Sequence, residues 1–163
     1  MPYRVTFVSS LFSADGADRE VSNAVLQVLL DTLVKVNVLI MQFCAKKGRP
    51  IPLLHQSGVR YVAEKRGVED WRDCLEALRL GNEDCEGLAA WRAAELRVRY
   101  GIDARARFKF WQNPQTLEQR YHCVVIYGVP TGGVRWVPQN AKLQPDGRHE
   151  EDPSKDLGMV GSS

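Results

Sequence analysis

A cysteine, a histidine and an aspartate stand in this chain where a thiol active site would need them. Cys85 follows the lead-in Gly81-Asn82-Glu83-Asp84 and opens the helix-favouring run Glu86-Gly87-Leu88-Ala89-Ala90. A cysteine at a helix N-terminus lies among backbone N–H groups without intrahelical partners, at the positive end of the helix dipole. Both stabilise the thiolate, which is the nucleophilic form. His122 sits near the start of the apolar run Tyr121-His122-Cys123-Val124-Val125-Ile126-Tyr127, which reads as a strand, and Asp152 follows in Glu151-Asp152-Pro153-Ser154. An imidazole that exchanges the thiol proton, and a carboxylate that orients the imidazole, complete the set for acyl transfer through a thioester.

That chemistry also requires donors for the oxyanion of a tetrahedral intermediate. The backbone N–H of Cys85 is one; Asn82, Gln56 and the indole N–H of Trp71 are candidates for the second. Asp146 competes with Asp152 for the third triad position, although before Gly147 it reads as a turn residue. Strand pleating sets His122, Val124 and Ile126 on one face and Tyr121, Cys123, Val125 and Tyr127 on the other. Cys123 is therefore expected to point away from His122, which disfavours a metal site built from Cys85, His122 and a further thiol. No metal and no cofactor are expected. His55 and His149 fall in loop-like segments and are expected to face solvent. Glu83, Asp84 and Glu86 read as capping and dipole-compensating residues whose negative charge opposes a low thiol pKa. Activation of Cys85 then falls mainly to His122 and the helix end.

The elements that must position these residues are legible from periodicity. Residues 3–9 alternate as a short strand, and 13–18 form a loop with helix-starting chemistry. From about Arg19 to Ala45, Val21, Ala24, Val25, Val28, Leu29, Leu33, Val36, Leu39, Ile40 and Phe43 recur at helical spacing and are expected to form the core face of a long helix. Lys46-Lys47-Gly48 supplies its stop. Residues 49–52 form an extended connector, followed by a turn and short extended segment over 55–62. A short helix is expected from Glu69-Asp70-Trp71 to Leu80, ending at Gly81, and a second from Asp84 or Cys85 to Tyr100, ending at Gly101. Period two then takes over: strands at 104–111 and 120–127, separated by a turn at Asn113–Thr116, with a third strand or arm at 134–137. Pro145-Asp146-Gly147-Arg148 reads as a hairpin turn, and Asp152-Pro153-Ser154 as the end of the last strand. Helices first and an antiparallel sheet second define an α+β fold. At 163 residues the chain is read as one domain, residues 1–163, with a core over about 50–158 and a loose tail at 159–163.

Composition excludes several function classes. Hydrophobic residues make up 44% and charged residues 26%, as in ordinary soluble domains, and a net charge of +2 with interleaved acids gives no nucleic-acid footprint. The four cysteines, at 44, 74, 85 and 123, show no C-x-x-C spacing, so buried free thiols in a reducing compartment are expected. The stretch Val34 to Phe43 is interrupted by Lys35, Asn37 and Gln42 and is read as no membrane span. The opening Met-Pro-Tyr-Arg-Val-Thr-Phe lacks the features of a signal peptide. A soluble protein with no membrane partner is expected.

The run Asp84-Cys85-Glu86-Gly87-Leu88-Ala89, a His near the start of an apolar strand, and then Asp-Pro-Ser resembles the transglutaminase-like superfamily of papain-like thiol enzymes. More narrowly, Ser57-Gly58-Val59-Arg60-Tyr61, Glu69-Asp70-Trp71-Arg72-Asp73, Ala89-Ala90-Trp91-Arg92-Ala93-Ala94-Glu95-Leu96 and Glu151-Asp152-Pro153-Ser154-Lys155-Asp156-Leu157-Gly158-Met159 look like transglutaminase-like proteins of tailed bacteriophages. The resemblance covers roughly residues 50–160. It implies a papain-like core in which Cys85, His122 and Asp152 form a triad acting on an amide bond of a protein or peptide. Hydrolysis makes the chain a peptidase or amidase; an amine acceptor would make it a protein-crosslinking transglutaminase. A phage setting implies a virion protein, a host protein or a peptidoglycan cross-bridge as substrate, and the host cytoplasm or the virion as location. It also implies the alternative of a non-catalytic structural or assembly module on the same fold.

Overall fold

The computed structural model describes residues 19–63, 70–116, 119–128 and 141–157. The strand expected at 3–9, the loop at 13–18, the strand or arm at 134–137 and the tail at 159–163 lie outside these residues. The architecture is mixed helix and sheet, with a long N-terminal helix and an antiparallel sheet. Helix α1 spans Arg19–Lys46, and Gly48 takes up the left-handed conformation (φ 72°) just beyond it. A single 3-10 turn at Leu54–Gln56 precedes strand β1 (Arg60–Tyr61) and helix α2 (Cys74–Leu80). Strand β2 (Asn82–Glu83) leads directly into helix α3 (Cys85–Tyr100). Strands β3 (Ala104–Gln112), β4 (Gln119–Tyr127), β5 (Lys142–Leu143) and β6 (His149–Glu151) follow, and helix α4 (Pro153–Asp156) comes last.

Helix α3 is the centre of the molecule. Every residue from Cys85 to Leu96 is buried. It touches α1 on one side and β3 and β4 on the other. Ala89, Ala90, Ala93 and Ala94 are fully buried; their small side chains let helix and sheet approach closely, while Leu88, Trp91 and Leu96 fill the remaining core.

The expected core face of α1 holds only in part: Leu33 and Ile40 pack against the core, but five of its members do not. The buried positions are Leu30, Val34, Asn37 and Met41, whereas Val21, Val28, Val36, Leu39 and Phe43 are exposed. This helix is apolar almost all round, so periodicity alone could not choose the inward stripe. Asn37 marks it instead: its Oδ1 accepts the backbone N–H of Cys74 at 2.9 Å, at the start of α2. The helix is also long and apolar enough to cross a membrane by length and composition, with a mean hydropathy of 1.8 over an 18-residue window. The shorter stretch Val34–Phe43 understated that.

Helix α2 begins later than expected. Asp73 is its N-cap, accepting from Leu75 N at 2.9 Å and Glu76 N at 3.0 Å, so residues 70–73 form a non-helical lead-in. Gly81 (φ 74°) ends α2 as expected, and Gly101 (φ 65°) ends α3. An unforeseen parallel pairing of β1 with β2, Arg60 with Asn82 and Tyr61 with Glu83, anchors the chain just before Cys85.

The antiparallel sheet has the order β3-β4-β6-β5. Strands β3 and β4 form a nine-pair hairpin from Ala104–Tyr127 to Gln112–Gln119. Its turn is built on Asn113, whose Oδ1 accepts from Gln115 N. Strand β6 pairs β4 only over Val125–Glu151 to Tyr127–His149. The chain leaves the sheet at Asp152, where α4 starts with Asp152 as N-cap and Pro153 at its first position. That departure point faces the end of β4 carrying His122.

Candidate active site

Asp84 caps α3, accepting the N–H of Gly87 at 3.1 Å, which fixes Cys85 as the first helical residue. Gly87 is required here: a Cβ at that position would fall inside the Glu83 side chain. Cys85 is buried, with 8% of the residue exposed.

His122 Nε2 lies 2.9 Å from Asp152 Oδ1. Ser154 braces the same carboxylate, its hydroxyl donating to Asp152 Oδ1 at 2.6 Å and its N–H at 3.2 Å. The Ser154 Oγ also lies 3.3 Å from His122 Nε2. The Cys85 thiol is the imidazole's other electrostatic partner. Cys85, His122 and Asp152 are therefore brought into one cluster.

Electrostatics match this geometry. Hydrogen bonds from the Cys123 thiol, from His122 and from Glu86 outweigh burial and lower the Cys85 thiol to about 4. The hydrogen bond to Asp152, reinforced by Cys85, raises His122 to about 9. Burial pushes Asp152 upward, but His122 and Ser154 outweigh it and hold it down at about 2. Near neutral pH the site is a thiolate–imidazolium pair with an ionised aspartate behind it.

The acids around Cys85 behave differently from the expectation. Glu83, Asp84 and Glu86 are all buried. Burial, with Asp84 alongside, raises Glu86 to about 10 and Glu83 to about 9. Glu86 Oε2 is 3.2 Å from Cys85 Sγ. As a neutral acid it donates to the thiolate instead of repelling it, which is how three acids coexist with a low thiol pKa.

Cys123 is the residue that sequence reasoning dismissed. Alternation does give it a different face from His122, but that face packs on α3, where the Cys85 sulphur lies. The sulphurs of Cys85 and Cys123 and a Glu86 oxygen are within 4.8 Å of one another. The Cys123 backbone N–H also supports the thiolate. Burial and the neighbouring thiolate keep the Cys123 thiol itself far above its ordinary range. Tyr61, delivered by the β1–β2 pairing, sets its ring edge against His122 at 6.5 Å. The signal for Cys123 was its place one residue after His122; what it lacked was the identity of the layer behind the strand.

Of the oxyanion candidates, Cys85 N–H is at the helix start. Trp71 packs on Phe108 at 5.9 Å, and Phe108 pairs across the sheet with Cys123, so the indole stays at the level of the site. Asn82 turns its amide to the Leu80 carbonyl. Gln56 lies elsewhere: it lines a cleft of about 330 Å³ with Leu53, His55, Arg92, Glu95 and Tyr100. Those α3 residues are roughly 10 to 22 Å further along the helix than Cys85. Asp146 is excluded as the third member, because its carboxylate is exposed and accepts from Arg148 N and Nε at 3.0 and 2.9 Å.

His55 and His149 are both corrected from solvent-facing to partly buried. His55 Nε2 lies 3.5 Å from Glu151, with only 19% of its side chain exposed. His149 stacks on Tyr127 at 5.8 Å. Glu151 is fully buried, where Arg92 Nε donates to it at 2.9 Å and the Tyr127 hydroxyl at 3.2 Å. Arg92 also pairs with Glu95, and Glu95 accepts the N–H of Leu54. All four cysteines are free.

Comparison of the chain with protein families, with curated proteins and with solved structures finds no match.

Proposed function

We propose that this protein is a thiol enzyme that cleaves an amide bond of a protein or peptide through a thioester on Cys85. The observation that carries the reading is the His122–Asp152 bond of 2.9 Å in one cluster with Cys85, the first residue of a buried helix, with a thiol lowered to about 4 beside an imidazolium raised to about 9. The Cys85 thiolate attacks the carbonyl carbon. Charge develops on the carbonyl oxygen near the N-terminal N–H groups of α3. The His122 imidazolium gives its proton to the departing amine, then as neutral base takes one from the water that resolves the thioester. Asp152 stabilises the imidazolium and fixes its ring.

The order of parts supports a transglutaminase-like, papain-like assignment: cysteine at a helix start, histidine on a strand packed against that helix, aspartate where the neighbouring strand ends. On that assignment the setting is a tailed phage, with a virion protein, a host protein or a peptidoglycan peptide as substrate. Acyl transfer to an amine would use the same thioester.

The test is the pH dependence of Cys85 alkylation by iodoacetamide, followed by mass spectrometry in wild type and His122→Ala. Rapid labelling below pH 7 that collapses in the variant is expected. Slow labelling with an ordinary thiol profile near ~8.5, unchanged by the substitution, would leave a structural or assembly module on an enzyme-like fold.

A further inference from the structure

The cluster around Cys85 holds more ligand chemistry than a thiol triad uses. Two buried sulphurs and a buried carboxyl oxygen converge within 4.8 Å, from Cys85, Cys123 and Glu86. Cys123 and Glu86 come from different elements, β4 and α3, and both are removed from solvent. Tetrahedral zinc, with Zn–S near ~2.3 Å and Zn–O or Zn–N near ~2.0–2.2 Å, holds its ligand atoms within about 4 Å of one another. Closing this cluster around such an ion needs about 1 Å of movement at most.

His122 is not among the three residues whose ligand atoms converge, and its Nε2 stays with Asp152 at 2.9 Å beside the cluster. The fourth position on the ion is then open to water, as in tetrahedral zinc sites with three protein ligands.

We propose that Cys85, Cys123 and Glu86 form a three-ligand site for a thiophilic divalent cation such as Zn²⁺, whose occupation suppresses the nucleophile. The inference rests on the thiol-enzyme reading only in that Cys85 is the shared atom. Binding is proton exchange without redox. Zn²⁺ displaces the protons of the Cys123 thiol and the Glu86 carboxyl, and both leave to solvent. Coordination draws electron density from the Cys85 sulphur and ties it to the ion, so its attack on a carbonyl carbon or on iodoacetamide is slowed. Metal and substrate therefore compete for Cys85.

The experiment combines Zn²⁺ titration against a chromogenic chelator with protection of Cys85 from iodoacetamide, on the full chain. Wild type is expected to bind one Zn²⁺ per chain and to lose Cys85 labelling in parallel; Co²⁺ in its place should give sulphur-to-metal charge-transfer bands. Cys123→Ser and Glu86→Gln are each expected to raise the Zn²⁺ concentration for half-protection roughly tenfold or more, the loss that even removal of an outer-shell partner causes. Protection of both variants at the wild-type concentration, or labelling of wild type unaffected by excess Zn²⁺, would overturn the proposal. An unreactive Cys85 that still binds one Zn²⁺ through both thiols would uphold the metal site while removing the enzyme reading, so the two fail separately.

Discussion

At the residue scale the site runs on two displaced protonation equilibria. The reactive ion pair needs Cys85 ionised and His122 protonated, so it is populated from about 4, where the thiol titrates, to about 9, where the imidazolium loses its proton. Turnover or alkylation measured across that range should show a broad plateau with falling limbs near both values. Cys123→Ala removes the foremost donor to the thiolate, so the acid limb should move upward while the alkaline limb, set by Asp152, stays nearer its place. A limb that does not move would show that the second thiol has no part in activation. Glu86 gives a stability signature of definite sign. Its folded pKa is raised, so its contribution is fully present below about 4.5 and is lost as pH rises through about 10. In that window each such group lowers stability by up to about 1.4 kcal/mol per pH unit. Glu86→Gln keeps a donor but does not titrate. Urea unfolding should therefore show the variant gaining on wild type between pH 5 and pH 8; a difference independent of pH would mean that Glu86 is ionised in the folded protein.

At the element scale, one buried ion pair ties the nucleophile to its third partner. Arg92 lies on α3, two turns beyond Cys85, and Glu151 immediately precedes Asp152; both side chains are almost fully buried. Their bond fixes where β6 ends against α3, and so where Asp152 leaves the sheet toward His122. Arg92→Met leaves Glu151 and Glu95 as buried acids without their cation, at a cost of about 3–5 kcal/mol. If Arg92 is a positioning residue, the variant should also shift the pH profile of Cys85 labelling toward that of Asp152→Asn. A purely structural role would lower the melting temperature and leave that profile unchanged. This linkage explains what was legible in the sequence. Cys85, His122 and Asp152 each carry a local mark: a helix start behind Asp84, a polar residue in an apolar strand, and an Asp-Pro cap. Helix stops at Gly81 and Gly101 and the turn at Asp146-Gly147 are equally local. Cys123 and Glu86 were misjudged because pleat and helix position say which way a side chain points, not which layer it meets. Gln56 failed for the same reason: sequence proximity did not reveal that its 3-10 turn docks beside the far half of α3.

At the scale of the whole molecule, the question is which side of α1 closes the core. Two apolar stripes run along it. Leu30, Val34 and Met41 are buried, with Asn37 among them bonding the start of α2. Val28, Leu39 and Phe43, at 64%, 65% and 61% exposure, look outward among the described residues. Both stripes satisfy helical spacing, and apolar content does not rank them, because burial is decided by which side of α1 meets α3. The two faces therefore predict opposite mutational responses. Leu30→Ala empties a site packed on all sides and should cost about 2–5 kcal/mol, with much of the spread set by how far α3 relaxes into the gap. Leu39→Lys and Phe43→Lys place a solvated charge on a surface already in water and should change stability by less than about 0.5 kcal/mol, while raising solubility. Denaturant unfolding of the three variants distinguishes the alternatives. Tolerance of Leu30→Ala together with collapse of Leu39→Lys would rotate α1 by about half a turn. That would in turn remove the support on which α3, and the placement of Cys85 at its start, depend.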